Sequence, residues 1–259
     1  MPVPRKRFGQ HFLCDKAIIQ QIVAALSPKP NEHLIEIGPG QGALTLPVLR
    51  QTHQLEVVEL DRDLIPTLQD RTQTAGKLTI FSADALTFDF ASVKKDDRLL
   101  RIFGNLPYNI STPLIFHLLT FAPIVSDMLF MLQKEVAERL AAKPSTEAYG
   151  RLSVMAQYHC QIELLFHVPA QAFYPPPKVE SSIVRLIPYR TYPHLANDYE
   201  IFDAIVKQAF NQRRKTLRNS LKHIIDDEMW SQAQLSSDLR PENLSVGDFV
   251  AISNTVRKL

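Results

Sequence analysis

The chain has 259 residues, two cysteines, and 29 basic against 27 acidic side chains, a formal net charge of +2. That length can bury a large core and fits an α/β domain with a smaller appendage; Cys14 and Cys160 are too few for a disulfide framework or a four-cysteine zinc site. A charge this near zero means that affinity for nucleic acid must come from local basic clusters, and no run approaches the ~18 apolar residues of a membrane span, so a soluble, cytoplasmic protein is expected.

Arg5, Lys6 and Arg7 form a first basic cluster with no apolar segment behind them. From about residue 33 to 133, short apolar runs alternate with segments of helical period. His33 to Ile37, Leu55 to Leu60, Leu78 to Phe81, Leu99 to Phe103 and Met128 to Leu132 read as buried parallel strands of a doubly wound sheet. Helices are expected over Ala43 to Arg50, Arg62 to Arg71 and Ser111 to Phe121, the last capped by Ser111 or Thr112 with Pro113 in its first turn. Ile162 to Val168 and Ser182 to Pro188 read as two further strands, joined by a stiff extended loop containing Pro175-Pro176-Pro177. After Pro193 the strand signals stop, and Tyr199 to Phe210, Lys215 to Ile225 and Ser245 to Val256 have helical spacing. The expected division is an α/β domain over residues 1–190 and a small helical domain over 191–259.

Gly38, Gly40 and Gly42 directly follow the first sheet strand, where glycine permits a tight turn and close approach of backbone to a ligand. Gly-x-Gly-x-x-Gly would need glycine at 43, and the chain has Ala43, an accepted variant. Glu59 ends the second strand, 21 residues after Gly38, where a carboxylate can accept hydrogen bonds from both ribose hydroxyls. Asp84, followed by Ala85, stands in the same relation to the third strand and can accept from an adenine amine; helix capping is the plainer alternative. Three such strand ends point to an adenosine-containing cofactor, with NAD and S-adenosylmethionine unseparated.

Asn105-Leu106-Pro107-Tyr108, after the fourth strand, separates them. The lone pair of an adenine exocyclic amine is conjugated with the ring, so a site that methylates it must favour the pyramidal geometry in which that pair is available. Acceptors aimed at the two amine protons do this. The Asn105 side-chain oxygen is one, and a carbonyl held by Pro107, that of Leu106, is the second. Tyr108 offers a face on which an extruded base stacks. A sulfonium methyl is already electrophilic, so neither a metal nor a covalent protein intermediate is expected.

Asn105 to Tyr108 resembles the substrate-amine motif of adenine amino-methyltransferases, and Glu36-Ile37-Gly38-Pro39-Gly40-Gln41-Gly42 resembles their S-adenosylmethionine loop. Gly9-Gln10-His11-Phe12-Leu13, Val58-Glu59-Leu60-Asp61, Asn105-Leu106-Pro107-Tyr108-Asn109-Ile110-Ser111, Phe173-Tyr174-Pro175-Pro176-Pro177-Lys178-Val179 and Gln212-Arg213-Arg214-Lys215-Thr216-Leu217-Arg218-Asn219 together resemble the small-subunit ribosomal RNA adenine dimethyltransferase family. The resemblance implies a class I S-adenosylmethionine-dependent methyltransferase sheet, Rossmann-like, with a small all-α C-terminal domain. It implies conversion of two adjacent adenosines in a 3′-terminal 16S rRNA hairpin loop to dimethyladenosine, by a monomer acting on the immature small subunit and releasing S-adenosylhomocysteine. It also implies that His11 and Leu13 lie over the cofactor, that Gly38 contacts its methionine portion, with Gly40 in the same loop, and that Glu59 holds the ribose. Asp84, beside Ala85, would hold the adenine amine, Asn105 would stand between cofactor and target, and Phe173 would pack on the target base opposite Tyr108. His11 departs from an asparagine common at its position, and Tyr174 from a threonine.

Arg213, Arg214, Lys215, Arg218 and Lys222 form the second basic cluster, in which Arg214, Arg218 and Lys222 would share one helical face suited to a phosphate backbone. His117, His159 and His167 have no spacing for metal ligation or general base catalysis and are read as structural. Two other readings stay open: a 23S rRNA adenine methyltransferase of the antibiotic-resistance type, and a non-catalytic ribosome-assembly or RNA-binding factor.

Overall fold

The structure is a computed structural model that describes residues 11–211 and 215–256. A short strand β1 (Phe12–Leu13) leads into α1 (Lys16–Leu26), whose N-terminus is fixed by Asp15 accepting from the N–H groups of Ala17 and Ile18. Strand and helix then follow as β2 (His33–Ile37), α2 (Thr45–Thr52), β3 (Gln54–Glu59), α3 (Ile65–Thr72), β4 (Lys77–Ser82), β5 (Leu100–Asn105), α4 (Ser111–Leu119) and β6 (Val125–Gln133). Next come α5 (Lys134–Ala141), α6 (Arg151–His159), β7 (Cys160–Val168), β8 (Phe173–Tyr174) and β9 (Ser181–Pro188). The remaining helices are α7 (Tyr199–Phe210), α8 (Leu217–Leu221), α9 (Asp227–Ala233) and α10 (Val246–Thr255).

Seven strands form one sheet in the order β4-β3-β2-β5-β6-β9-β7. The pairs from β4 through β6 are parallel, and β9 joins β6 antiparallel. Since β3 and β4 lie on one side of β2 and β5 on the other, the winding reverses between β2 and β5. In such sheets a ligand collects outside the carboxyl ends of the strands at that reversal. The register pairs Glu36 with Phe103, so the next residues, Ile37 and Gly104, run side by side. A Cβ on Gly104 would lie 2.3 Å from the Ile37 carbonyl oxygen, so only glycine fits there. Leu34, Val57, Phe103, Leu129 and Met131 of these strands share one core with Val23 and Leu26 of α1.

The chain divides into two compact units: residues up to Ala137 with Ile162–Pro188, and Glu138–Gln161 with the chain from Tyr189 on. The expected cut at 190 therefore describes only part of the division, because α6 packs with α7 and α10 in the second unit. There Tyr158 stacks on Phe202 with centroids 4.4 Å apart, Arg151 pairs with Asp203 at 2.8 Å, and the Tyr149 hydroxyl donates to the Leu244 carbonyl at 2.8 Å. The α4 cap also differs from expectation. Ile110 is the N-cap, without a side-chain bond, and the Ser111 hydroxyl donates to the Tyr108 carbonyl at 3.2 Å.

One carboxyl is enclosed in the sheet. Glu36 is 2% exposed and its Oε2 accepts from the Thr45 hydroxyl at 2.6 Å. Burial pushes its pKa up to about 8; the Thr45 bond opposes this and the charge of Glu59 adds to it. A carboxyl whose folded value is raised stabilises the fold fully below its unfolded value and loses that contribution as pH rises through the folded one. Glu36→Gln, which stays neutral, should therefore melt near the wild-type temperature at about pH 5 and increasingly above it toward about pH 8, read by calorimetric melts across that range. Gly104→Ala should lower unfolding free energy by about 3 kcal/mol in urea titrations, at the upper end of overpacking costs, because its new methyl meets backbone that cannot rotate away.

Candidate active site

The expected cofactor residues converge at the carboxyl ends of β2 to β5. Gly38, Gly40 and Gly42 have φ of +66°, +56° and +85°, values that side-chain-bearing residues adopt only under strain, and these fold residues 38–42 into a compact loop. The Gly38 N–H donates to the Val58 carbonyl at 3.0 Å, and Gly42 closes a turn on Pro39 at 2.8 Å. Arg71, in the last turn of α3, donates to the Gln41 carbonyl at 2.8 Å and holds the loop from outside.

Glu59 is buried at the end of β3. Its Oε2 accepts from the Gly40 N–H at 3.1 Å and its Oε1 from the Asp61 N–H at 2.8 Å. Burial pushes its pKa up, the Asp61 and Gly40 N–H groups pull it down, and the Asp61 charge raises it again. Each carboxylate oxygen has room for a second donor, so a diol can bind both. Leu60, beside it, is 49% exposed and gives the wall an apolar face. Asp84 beyond β4 uses Oδ1 to accept from the Leu86 N–H at 2.9 Å, the capping role. Its Oδ2 has no partner among the described residues, so both roles are open to one side chain.

At the end of β5, Asn105 Nδ2 donates to the His11 carbonyl at 3.1 Å. That bond uses one end of the amide and leaves Oδ1 as an acceptor. His11 Nδ1 bonds the Pro175 carbonyl at 2.8 Å, and its ring stacks on Tyr108 with centroids 5.7 Å apart and planes 27° apart. The Tyr108 hydroxyl bonds Ser181 Oγ at 2.8 Å; burial raises its pKa, opposed by that bond. Among the carbonyls of the tetrad, Pro107's accepts from Ile110 and Tyr108's from Ser111. Leu106's has no such partner among the described residues and is available.

These groups enclose a cavity of about 1030 Å³, lined by His11, Leu13, Gly38, Gly40, Glu59, Asp84, Ala85, Asn105, Leu106, Pro107 and Tyr108. Phe173 is not among them. It is 3% exposed and packed in the core cluster beside Leu13, which does line the cavity. The cause is strand alternation: β8 pairs antiparallel with β1, Phe173 opposite Leu13 and Tyr174 opposite Phe12, so the first pair faces the core and Tyr174 faces out.

Of the second basic cluster, Lys215, Arg218 and Lys222 are exposed on the second unit. Helix α8 begins only at Leu217, with Thr216 extended as its N-cap and Lys222 at its C-cap, so the four-residue repeat rests on Arg218 and Lys222 alone. Arg218 is engaged by Ser237 Oγ at 3.0 Å and Asp227 at 3.1 Å. Arg5, Lys6, Arg7, Arg213 and Arg214 lie outside the described residues. His117, His159 and His167 bond the Phe88 carbonyl, the Tyr192 hydroxyl and Ser182 Oγ respectively. Among the described residues no three His, Cys, Asp or Glu side chains gather as a metal site, and no helix is long and apolar enough to cross a membrane. Sequence reading missed Ser181, Gly104 and Arg71: their partners lie 73, 67 and 30 positions away, and no local pattern marks such pairs.

Comparison with known proteins agrees with this geometry. The family described as ribosomal RNA adenine dimethylase matches residues 3–258. A ribosomal RNA small subunit methyltransferase A of Vibrio cholerae is 53% identical over 250 residues, covering 96% of this chain and 92% of that protein. Its counterpart in Chromohalobacter salexigens is 55% identical over 256 residues, covering 97% and 91%. Among solved structures, a dimethyladenosine transferase of Plasmodium falciparum superposes with a TM-score of 0.80 at 26% identity, covering 93% of this chain and 96% of that one. The 23S rRNA methyltransferase ErmE shares the fold, with a TM-score of 0.72 at 22% identity over 95% of this chain and 99% of that one. A glycine loop and buried acid beside an amide-bearing strand end, and a family match along almost the whole length, lead to one assignment: this chain belongs to the ribosomal RNA adenine dimethylase family.

Proposed function

We propose that the protein transfers methyl groups from S-adenosylmethionine to the exocyclic amines of two adjacent adenosines in the 3′-terminal hairpin loop of 16S rRNA, acting as a cytoplasmic monomer during maturation of the small subunit. The observation that carries this reading is Asn105: its Nδ2 is tied to His11, and it stands on the wall of the glycine-loop cavity. The donor set fits the cofactor. Glu59 can take the two ribose hydroxyls, Asp84 Oδ2 the adenine amine, and the cavity volume suits a ligand of that size. When bound, the cofactor supplies an electrophilic methyl carbon.

The chain's own residues supply alignment. Asn105 Oδ1 and the Leu106 carbonyl accept the two amine protons, which turns the nitrogen lone pair out of conjugation. Tyr108, fixed by Ser181 and His11, gives the extruded base a rigid wall. The names of the relatives favour the small subunit over the 23S alternative, and an assembly role is compatible with catalysis.

Asn105→Ala should reduce methyl transfer to an adenosine-containing hairpin by at least about a hundredfold, the scale of losing one preorganised polar group at a reacting centre. Calorimetry should find S-adenosylmethionine affinity within about threefold of wild type, as expected for a group outside the ribose and adenine contacts. Retained turnover would remove the role given to Asn105. For the basic cluster, replacing Lys215, Arg218 and Lys222 together by alanine should weaken hairpin binding and flatten its log–log salt dependence by about two units. An unchanged slope in fluorescence titrations would exclude these residues from the phosphate contacts.

A further inference from the structure

His11 joins three parts of the site, and its imidazole is hydrogen-bonded on one side only. Nδ1 bonds the Pro175 carbonyl at 2.8 Å, the ring stacks on Tyr108, and the backbone carbonyl accepts from Asn105 Nδ2. A carbonyl oxygen can only accept, so in the neutral ring Nδ1 carries the hydrogen and Nε2 the lone pair. Nε2 has no partner among the described residues, and His11 is half-buried on the wall of the cavity. An added proton therefore has one place to go. It would bind at Nε2 without breaking the Pro175 bond, and the face of Tyr108 can carry a cation.

Histidine is the side chain that changes charge between about pH 5 and about pH 8. The other titratable or charged groups on the wall are Cys14 and Lys16 of the same segment, Tyr108 of the tetrad, Tyr174 of β8, the strand-end acids Glu36, Glu59, Asp61 and Asp84, and Arg71. Among the described residues no carboxylate pairs with His11, so a charge on its ring is left for a ligand to meet. The inference rests on the methyl-transfer reading above. On that reading the methyl carbon must reach an amine held by Asn105 Oδ1, and Asn105 is bonded to His11, so the sulfonium is seated beside His11. The product, S-adenosylhomocysteine, has a neutral sulfur there. A positive ring repels the first and not the second. We propose that His11 sets, through its charge, how strongly the cavity prefers the sulfonium cofactor over the thioether product: a neutral imidazole admits both, and an imidazolium turns the site toward product.

Calorimetric titration of the full chain with S-adenosylmethionine and with S-adenosylhomocysteine, at about pH 7.5 and about pH 5.5, reads the ratio of their dissociation constants on either side of a histidine's charge change. No binding of S-adenosylmethionine at the higher pH would remove the functional reading and this proposal with it. With binding, acidification should shift the wild-type ratio toward product by about fivefold, the scale of two like charges close together at a partly screened site. In His11→Asn, whose amide can still donate to the Pro175 carbonyl and stays neutral, the shift should stay below about twofold. His11→Gln is a second neutral variant and should behave alike, with melting curves at both pH values to establish that each protein is folded. The cavity acids and the ligands' own amines titrate in every one of these proteins, so the comparison isolates the ring. A wild-type ratio that moves by less than about twofold, or one that moves as far in the neutral variants as in wild type, would overturn the proposal.

Discussion

The close approach of β5 to β2 is the constraint on which the rest of the site depends. Parallel strands leave their carboxyl ends level, so two loops that follow adjacent strands emerge side by side. The glycine loop follows β2 and the amide-bearing tetrad follows β5. Gly104 allows their backbones to run on together past the last paired residues, since any side chain there would meet the Ile37 carbonyl. The result reaches one residue further: a Cβ placed on Gly38 would be 3.7 Å from the Asn105 carbonyl oxygen. A cofactor loop and an acceptor group, 67 positions apart in sequence, are brought into contact by register alone.

Around that contact, long-range polar bonds replace local structure. Asn105 bonds His11, His11 bonds Pro175, and Tyr108 bonds Ser181. Each link joins a segment with no regular hydrogen-bonding pattern of its own to another far along the chain, so the tetrad is oriented by three separate parts of the sequence. A turn left to its own preferences would sample several conformations, and aligning a lone pair with a methyl carbon tolerates little of that. The apolar packing of Phe173 and Leu13 in the core performs the matching task for β1 and β8.

How much of this was legible in the sequence follows from the range of the forces involved. His33–Ile37 and Tyr199–Phe210 occur with the expected bounds, because each has a sharp composition change at its ends; Asp198 caps the second through the Glu200 and Ile201 N–H groups. Helix α6 escaped reading because it is buried on nearly every side, so the stripe that marks an amphipathic helix is missing. The glycines, Glu59, Asp84 and Asn105 were legible because strand ends impose their spacing. The burial of Phe173 was not legible, for a different reason. A period of two states that neighbours face opposite ways without stating which way, and pairing with β1, 160 positions earlier, sets the phase.

The site's chemistry also follows from what its side chains are not placed to do. Tyr108 is the titratable member of the tetrad, and burial raises its pKa while its hydroxyl is bound to Ser181, so it stays a neutral phenol near neutral pH. Asn105 cannot titrate at all. An amine that has gained a carbon is far more acidic than before, so it surrenders a proton without a strong base, whereas the same amine beforehand is a poor nucleophile and needs help. Acceptors fixed before the reaction supply that help at the step where the barrier lies. An amide suits the proposed acceptor role better than a carboxylate: it can accept the amine's hydrogen bond without placing a full negative charge beside a cavity already walled by Glu59. The nitrogen of the same amide is held by the His11 carbonyl, which leaves its oxygen available as an acceptor.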